Sequence, residues 1–254
     1  MEDSLPQVAS AGGVVRAEAR FVGGDGRLRR VPWSRLAREV AVEDLPPVRT
    51  FSVRQGRRVA PGWWWSATTG RLVHYGFGAM RTQVMLLDRD PRVVALACSP
   101  VELAWLAQDG EAVVHAPHLM ARLEDGSGVL VDCAGRQGPS RRVAERAPQL
   151  TVLAREAGWR YRVAALPSPV GAANVRWLAG YRHPRNGGGR LGEVAAAFAR
   201  PRPLEEGVRD LGDPAAVWPA VFHALWCGIL RTALERPLHQ RSVATADAAG
   251  AVAA

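Results

Sequence analysis

The feature that most constrains the fold is a twofold change of hydrophobic period between residues 79 and 166. From Ala79 to Asp88 the side chains Met80, Val84 and Leu87 recur at helical spacing, and Pro91 stops the pattern. Short β-rich runs follow at Val93 to Cys98, Val101 to Leu106, Ala112 to His115 and Leu119 to Leu123. Glu124-Asp125-Gly126-Ser127 is a hairpin turn with Gly128 to Cys133 as the returning strand. Helical spacing returns over Arg141 to Ala157, with Val143, Ala147, Leu150 and Leu153 inward, and Pro148 must kink that helix or set its start. Trp159 to Leu166 is strand-like again. A helix, three or more strands, a helix and a strand describe an α/β domain over a mixed sheet. At 254 residues the chain is long enough to bury such a core.

The flanking segments are simpler. Residues 1–47 read as an N-terminal leader carrying a short hairpin, Arg16 to Val22 and Arg27 to Val31, and a short helix from Trp33 to Val40. Trp63-Trp64-Trp65 and Arg71 to Tyr75 read as a hairpin around a polar turn, in which at least one tryptophan must enter a core. The α/β domain spans 48–186, and Asn186-Gly187-Gly188-Gly189 reads as a linker. Residues 187–240 are expected to form a small helical C-terminal domain, with Val217 to Leu234 helical, and 241–254 a disordered Ala-rich tail.

Charge is unevenly placed. All 33 basic residues are arginine, and the formal net charge is +9. Residues 49–82 hold six arginines and no acid, and residues 136–186 hold ten arginines against two acids. Between them, residues 83–135 carry three arginines and eight acids. Two basic blocks around an acidic one suit a polyanion channel beside a catalytic centre. A GC-rich genome that writes arginine for every surface cation gives the same composition. Arg54, Arg57, Arg58, Arg141 and Arg142 are the expected phosphate contacts. Cys98, Cys133 and Cys227 are too few and too scattered for a disulfide framework or a zinc quartet. The chain opens without an apolar run, and Val217 to Leu234 contains Pro219, His223 and Arg231, so no membrane association and a cytoplasmic location are expected.

Three stretches carry a more specific signal: Pro61-Gly62-Trp63-Trp64-Trp65-Ser66 continuing to Leu87-Asp88-Arg89-Asp90-Pro91, then His115-Ala116-Pro117-His118-Leu119 with its hairpin to Asp132, and then Asn174-Val175-Arg176-Trp177-Leu178-Ala179-Gly180-Tyr181-Arg182-His183-Pro184-Arg185. Together they resemble the actinobacterial branch of the TnsA-like heteromeric transposase endonuclease subunits, over roughly residues 45–245. The resemblance implies a restriction-endonuclease-like core of the PD-(D/E)xK type. It implies cleavage of the 5′ transposon ends with Mg²⁺ or Mn²⁺, double-stranded DNA as substrate, and a DDE-class transposase and an ATPase regulator as partners.

Carboxylate oxygens must hold the hard metal ion, and a lysine beside them orients the attacking water. Carried onto this sequence, the helix glutamate falls at Met80, the aspartate after His-x-Pro at His118, the strand acid at Asp132 and the basic position at Ala134. Only Asp132 is retained. A thioether does not hold Mg²⁺ and a methyl group cannot polarise water. The expectation is a TnsA-like subunit whose 5′ cut is lost or severely weakened, with no tightly bound metal. Three alternatives stand beside it: an altered centre of His115, His118 and Asp132 around a transition metal, a shifted ligand set using Glu102 or Glu111, and a non-catalytic DNA-binding scaffold. If a strand ran from His115 through His118, the two rings would point to opposite faces.

Overall fold

A parallel strand pair needs a crossover, and the second helical stretch supplies one. In this computed structural model, which describes residues 17–51, 60–107 and 110–247, the first elements are β1 (Glu18–Val22), β2 (Leu28–Pro32), α1 (Trp33–Glu39), β3 (Gly62–Trp65), β4 (Leu72–Tyr75) and α2 (Gly78–Arg89). They are followed by β5 (Val93–Cys98), β6 (Glu102–Leu106), β7 (Ala112–His115), β8 (Leu119–Leu123), β9 (Gly128–Cys133), α3 (Arg141–Glu156) and β10 (Arg160–Ala164). One four-stranded sheet has the order β10-β9-β8-β5, antiparallel except for the β9–β10 pair, which α3 connects. Ser140 caps α3 by accepting from the Val143 N–H, and the helix runs on through Pro148. The protein is therefore mixed α/β, as the alternation of periods predicts.

Residues 17–47 are not a leader. β1 pairs with β2 and also with β6, placing Arg20 opposite Glu102, 82 residues later, in a second sheet of order β2-β1-β6-β7. Trp33 and Leu36 of α1 are buried in one core with Phe21, Leu103, Leu130 and Leu153. The Trp33 indole N–H donates to the Leu153 carbonyl at 2.8 Å, and its ring meets Trp159 edge-on at 5.2 Å. On the β3–β4 hairpin Trp64 is buried, whereas Trp63 is 62% exposed and lies against His74.

The chain divides into two compact units, Met1–Val84 with Arg92–Leu166, and Met85–Pro91 with Pro167–Ala254. Residues 167–186, read above with the α/β domain, thus belong to the second unit, because α4 (Pro169–Leu178) packs on α7 (Pro214–Trp226). Between these helices lie α5 (Leu191–Ala197), β11 (Arg202–Pro203) and α6 (Leu204–Asp210), and after them β12 (Leu230–Thr232) and β13 (Val243–Ala246). The second unit is not purely helical, since these strands form a sheet of order β11-β13-β12. The expected helix to Leu234 stops at Trp226, where Gly228 at φ 78° turns the chain into β12. Val243–Ala246 lies in the expected tail but is a paired strand, and residues 248–254 lie outside the described residues. Trp226 and Leu230 are core residues.

Candidate functional site

Asp132 is the next-to-last residue of β9, opposite Val163 of β10, and is 0% exposed. A buried carboxylate must be paired or hydrogen-bonded, and this one has three protein donors. Its Oδ2 accepts from His115 Nε2 and from the Tyr161 hydroxyl, each at 2.7 Å. Its Oδ1 accepts from the backbone N–H of His118 at 3.3 Å. Burial by itself raises the Asp132 carboxyl, but the hydrogen bond and electrostatic attraction of His115 and the Tyr161 hydrogen bond outweigh it and hold the carboxyl below its ordinary value. Burial and the Asp132 charge push the Tyr161 phenol upward, which keeps it a donor.

His118 is oriented by a different contact. Its Nδ1 lies 3.1 Å from Asp132 Oδ1 yet accepts the Cys133 N–H at 2.9 Å. That assigns the ring proton to Nε2 and makes the imidazole neutral. Burial depresses the His118 pKa most strongly; the Asp132 charge opposes this and the His115 charge adds to it. Phe77 meets the ring edge-on at 5.1 Å. The expected divergence of His115 and His118 does not occur. Ala116 and Pro117 lie outside both β7 and β8 as the chain passes from one sheet to the other, so strand alternation does not run between the two rings.

The neutral imidazole has a consequence for stability. An unfolded His118 binds its proton near the ordinary value of about 6.5, whereas the folded one stays neutral to lower pH. The unfolded state therefore holds more protons in that interval, and stability must rise with pH across it. The contribution is complete above the ordinary histidine value and is lost as pH falls towards the folded pKa. His223, in the second unit, is shifted the same way, chiefly by burial. Thermal melts from pH 7 down to pH 5 are expected to show a falling midpoint, with a shallower slope in His118→Gln. A flat profile over that range would contradict the assignment.

The donor set does not fit a magnesium centre. Asp132 brings a single carboxylate that already faces three protein donors, and His115 directs its Nε2–H at it, so that nitrogen offers no lone pair there. Met80 is buried, and its sulfur accepts the Gly76 N–H at 3.2 Å. Ala134 is buried and donates its N–H to the Ala164 carbonyl. Glu102 sits between Arg20 and Arg49 with its oxygens committed to both, and Glu111 is exposed just ahead of β7. Among the described residues no group of three or more His, Cys, Asp or Glu is placed to hold a metal ion. Cys98, Cys133 and Cys227 are free thiols, and burial pushes the Cys98 thiol up to about 12.

Of the expected phosphate contacts, Arg54, Arg57 and Arg58 lie outside the described residues. Arg141 is exposed and pairs with Glu145 at 2.6 Å. Arg142 and Arg146 both reach the Val114 carbonyl of β7, at 3.0 and 2.7 Å. Burial depresses the Arg146 guanidinium most, the charges of Arg142 and Arg49 add to this, and Glu145 and Glu111 oppose it. Tyr161 was not legible as a site residue, because only the β9–β10 register brings it to Asp132. No protein-family model matches the chain, and no curated protein matches it. Among the described residues no helix is long and apolar enough to cross a membrane.

Proposed function

We propose that this chain is a non-cleaving TnsA-like subunit, which binds duplex DNA at transposon ends beside a DDE-class transposase and its ATPase regulator. The observation that carries the reading is the state of Asp132. It occupies the third strand of the series α2, β5, β8, β9, α3, β10, an order that fits a restriction-endonuclease-like core. At the place where such a core presents a metal-binding carboxylate, this one is enclosed by three protein donors. The acid is kept as a hydrogen-bond hub that ties β9, β10 and the β7–β8 crossover together. Met80 and Ala134 support the same reading, since each is buried and neither brings charge to the site.

What remains for function is charge. Arg142 and Arg146, brought together at the Val114 carbonyl, are the cations this reading gives to phosphates, and they need no metal. Binding of the full chain to a duplex, measured at 50 and 200 mM salt, is expected to weaken steeply with salt and to be indifferent to Mg²⁺. Arg142→Gln is expected to weaken binding evenly across sequences and to reduce the salt slope by about 1. Affinity that ignores salt, or that requires Mg²⁺, would overturn the proposal.

A further inference from the structure

The second unit carries an aromatic surface that the proposed function leaves unused. Phe222 of α7 touches three rings. Trp218, one turn earlier, stacks on it at 5.1 Å and 21°, Tyr181 lies at 4.8 Å, and Trp177 of α4 stands perpendicular to it at 6.0 Å. Trp177, Trp218 and Phe222 line a groove of about 220 Å³ whose remaining edge is Leu238, His239 and Gln240. Trp177 is 55% exposed. The groove is a built feature. Asn174 fastens its far edge to α4, donating to the Leu234 and Arg236 carbonyls at 2.7 Å and accepting from the Leu238 N–H at 3.2 Å.

The surrounding charge selects the occupant. Residues 167–189, 214–226 and 236–246, which build this part of the unit, contain five arginines and no carboxylate. Arg176, Arg236 and Arg241 are exposed. Of the acids that border these segments, Asp247 pairs with Arg231, Asp213 caps α7 and Glu235 accepts from Ser168 at the start of α4, and the five arginines outnumber them. A quaternary ammonium, the usual guest of an aromatic cage, would be repelled by this rim. An aliphatic peptide would gain nothing from it. A flat π-system carrying phosphates uses both features, the rings as stacking faces and the arginines as phosphate partners.

We propose that the Trp177–Trp218–Phe222 groove docks an unpaired base of single-stranded DNA, with the neighbouring phosphates on Arg176, Arg236 and Arg241. Only an unpaired, splayed base exposes the face that such a groove can hold. The inference lies in a different unit from the arginines invoked for duplex binding and stands without them.

The test is fluorescence anisotropy of the full chain with a labelled thymidine 12-mer, the corresponding duplex, and unlabelled dTMP as competitor. Trp177→Ala and Trp218→Ala are each expected to weaken strand binding about five- to hundredfold, the range of one lost base stack, and to leave duplex binding within about twofold. Trp177→Phe should recover most of the loss, which a merely unfolded variant would not. Equal weakening of strand and duplex, a parent that does not bind the strand, or dTMP competing as well as the strand does would each overturn the proposal. Duplex binding that Arg142→Gln leaves untouched would count against the function proposed above and not against this groove.

Discussion

Asp132→Ala is expected to destabilise the protein by about 3 to 5 kcal/mol, the range for breaking a buried charged network. The substitution removes one carboxylate and strands three donors, the His115 Nε2–H, the Tyr161 hydroxyl and the His118 N–H. Each buried donor left without an acceptor costs about 1 to 3 kcal/mol. Against a total stability of about 5 to 15 kcal/mol for a domain, that is a large fraction. Tyr161→Phe removes one donor and leaves the acceptor two others, so its cost should be about 1 kcal/mol. Urea unfolding of the three proteins measures both values. An Asp132→Ala variant within 1 kcal/mol of the parent would mean that the carboxylate does not hold these strands together.

Gly128→Ala is expected to cost about 3 kcal/mol, at the upper end for overpacking. A Cβ at this position, the first residue of β9, would lie 2.1 Å from the Trp159 indole. Side chains often yield to such a clash, but this one is held. Trp33 packs against its edge while donating to Leu153, and the Arg122 guanidinium lies 4.7 Å from its ring while also binding Glu43. Moving the indole would disturb all of these contacts. The variant should unfold at lower urea, and pairing it with Trp159→Leu should recover part of the loss, the non-additivity expected of two residues in contact. Gly128→Ala with parental stability would show that the indole has room to move.

Much of the first unit is legible in local sequence, for a physical reason. β5, β7, β8 and β9 coincide with alternating or apolar runs between turn residues, and α2 and α3 with helical spacing. Local pattern reports which face of an element is buried, but not what covers it. Residues 17–47 read as a leader because their partner strand, β6, lies more than 80 residues away, and no nearby residue records the pairing. The helix expected up to Leu234 ends early because one glycine at positive φ decides the direction of the chain. In the site, Asp132 can be singled out from sequence, but its neighbours cannot. Tyr161 reaches it through parallel pairing across α3, and His115 through a crossover between sheets. The same crossover defeats the alternation that separates His115 from His118 on paper.

Asp132 either binds protein donors alone or holds a catalytic metal. Nicking of supercoiled plasmid by the full chain, in Mg²⁺ and in Mn²⁺, tests this most directly, with Asp132→Asn as the control. The parent is expected to leave the plasmid closed in both metals and to be indistinguishable from Asp132→Asn. Nicking by the parent that Asp132→Asn abolishes would contradict it.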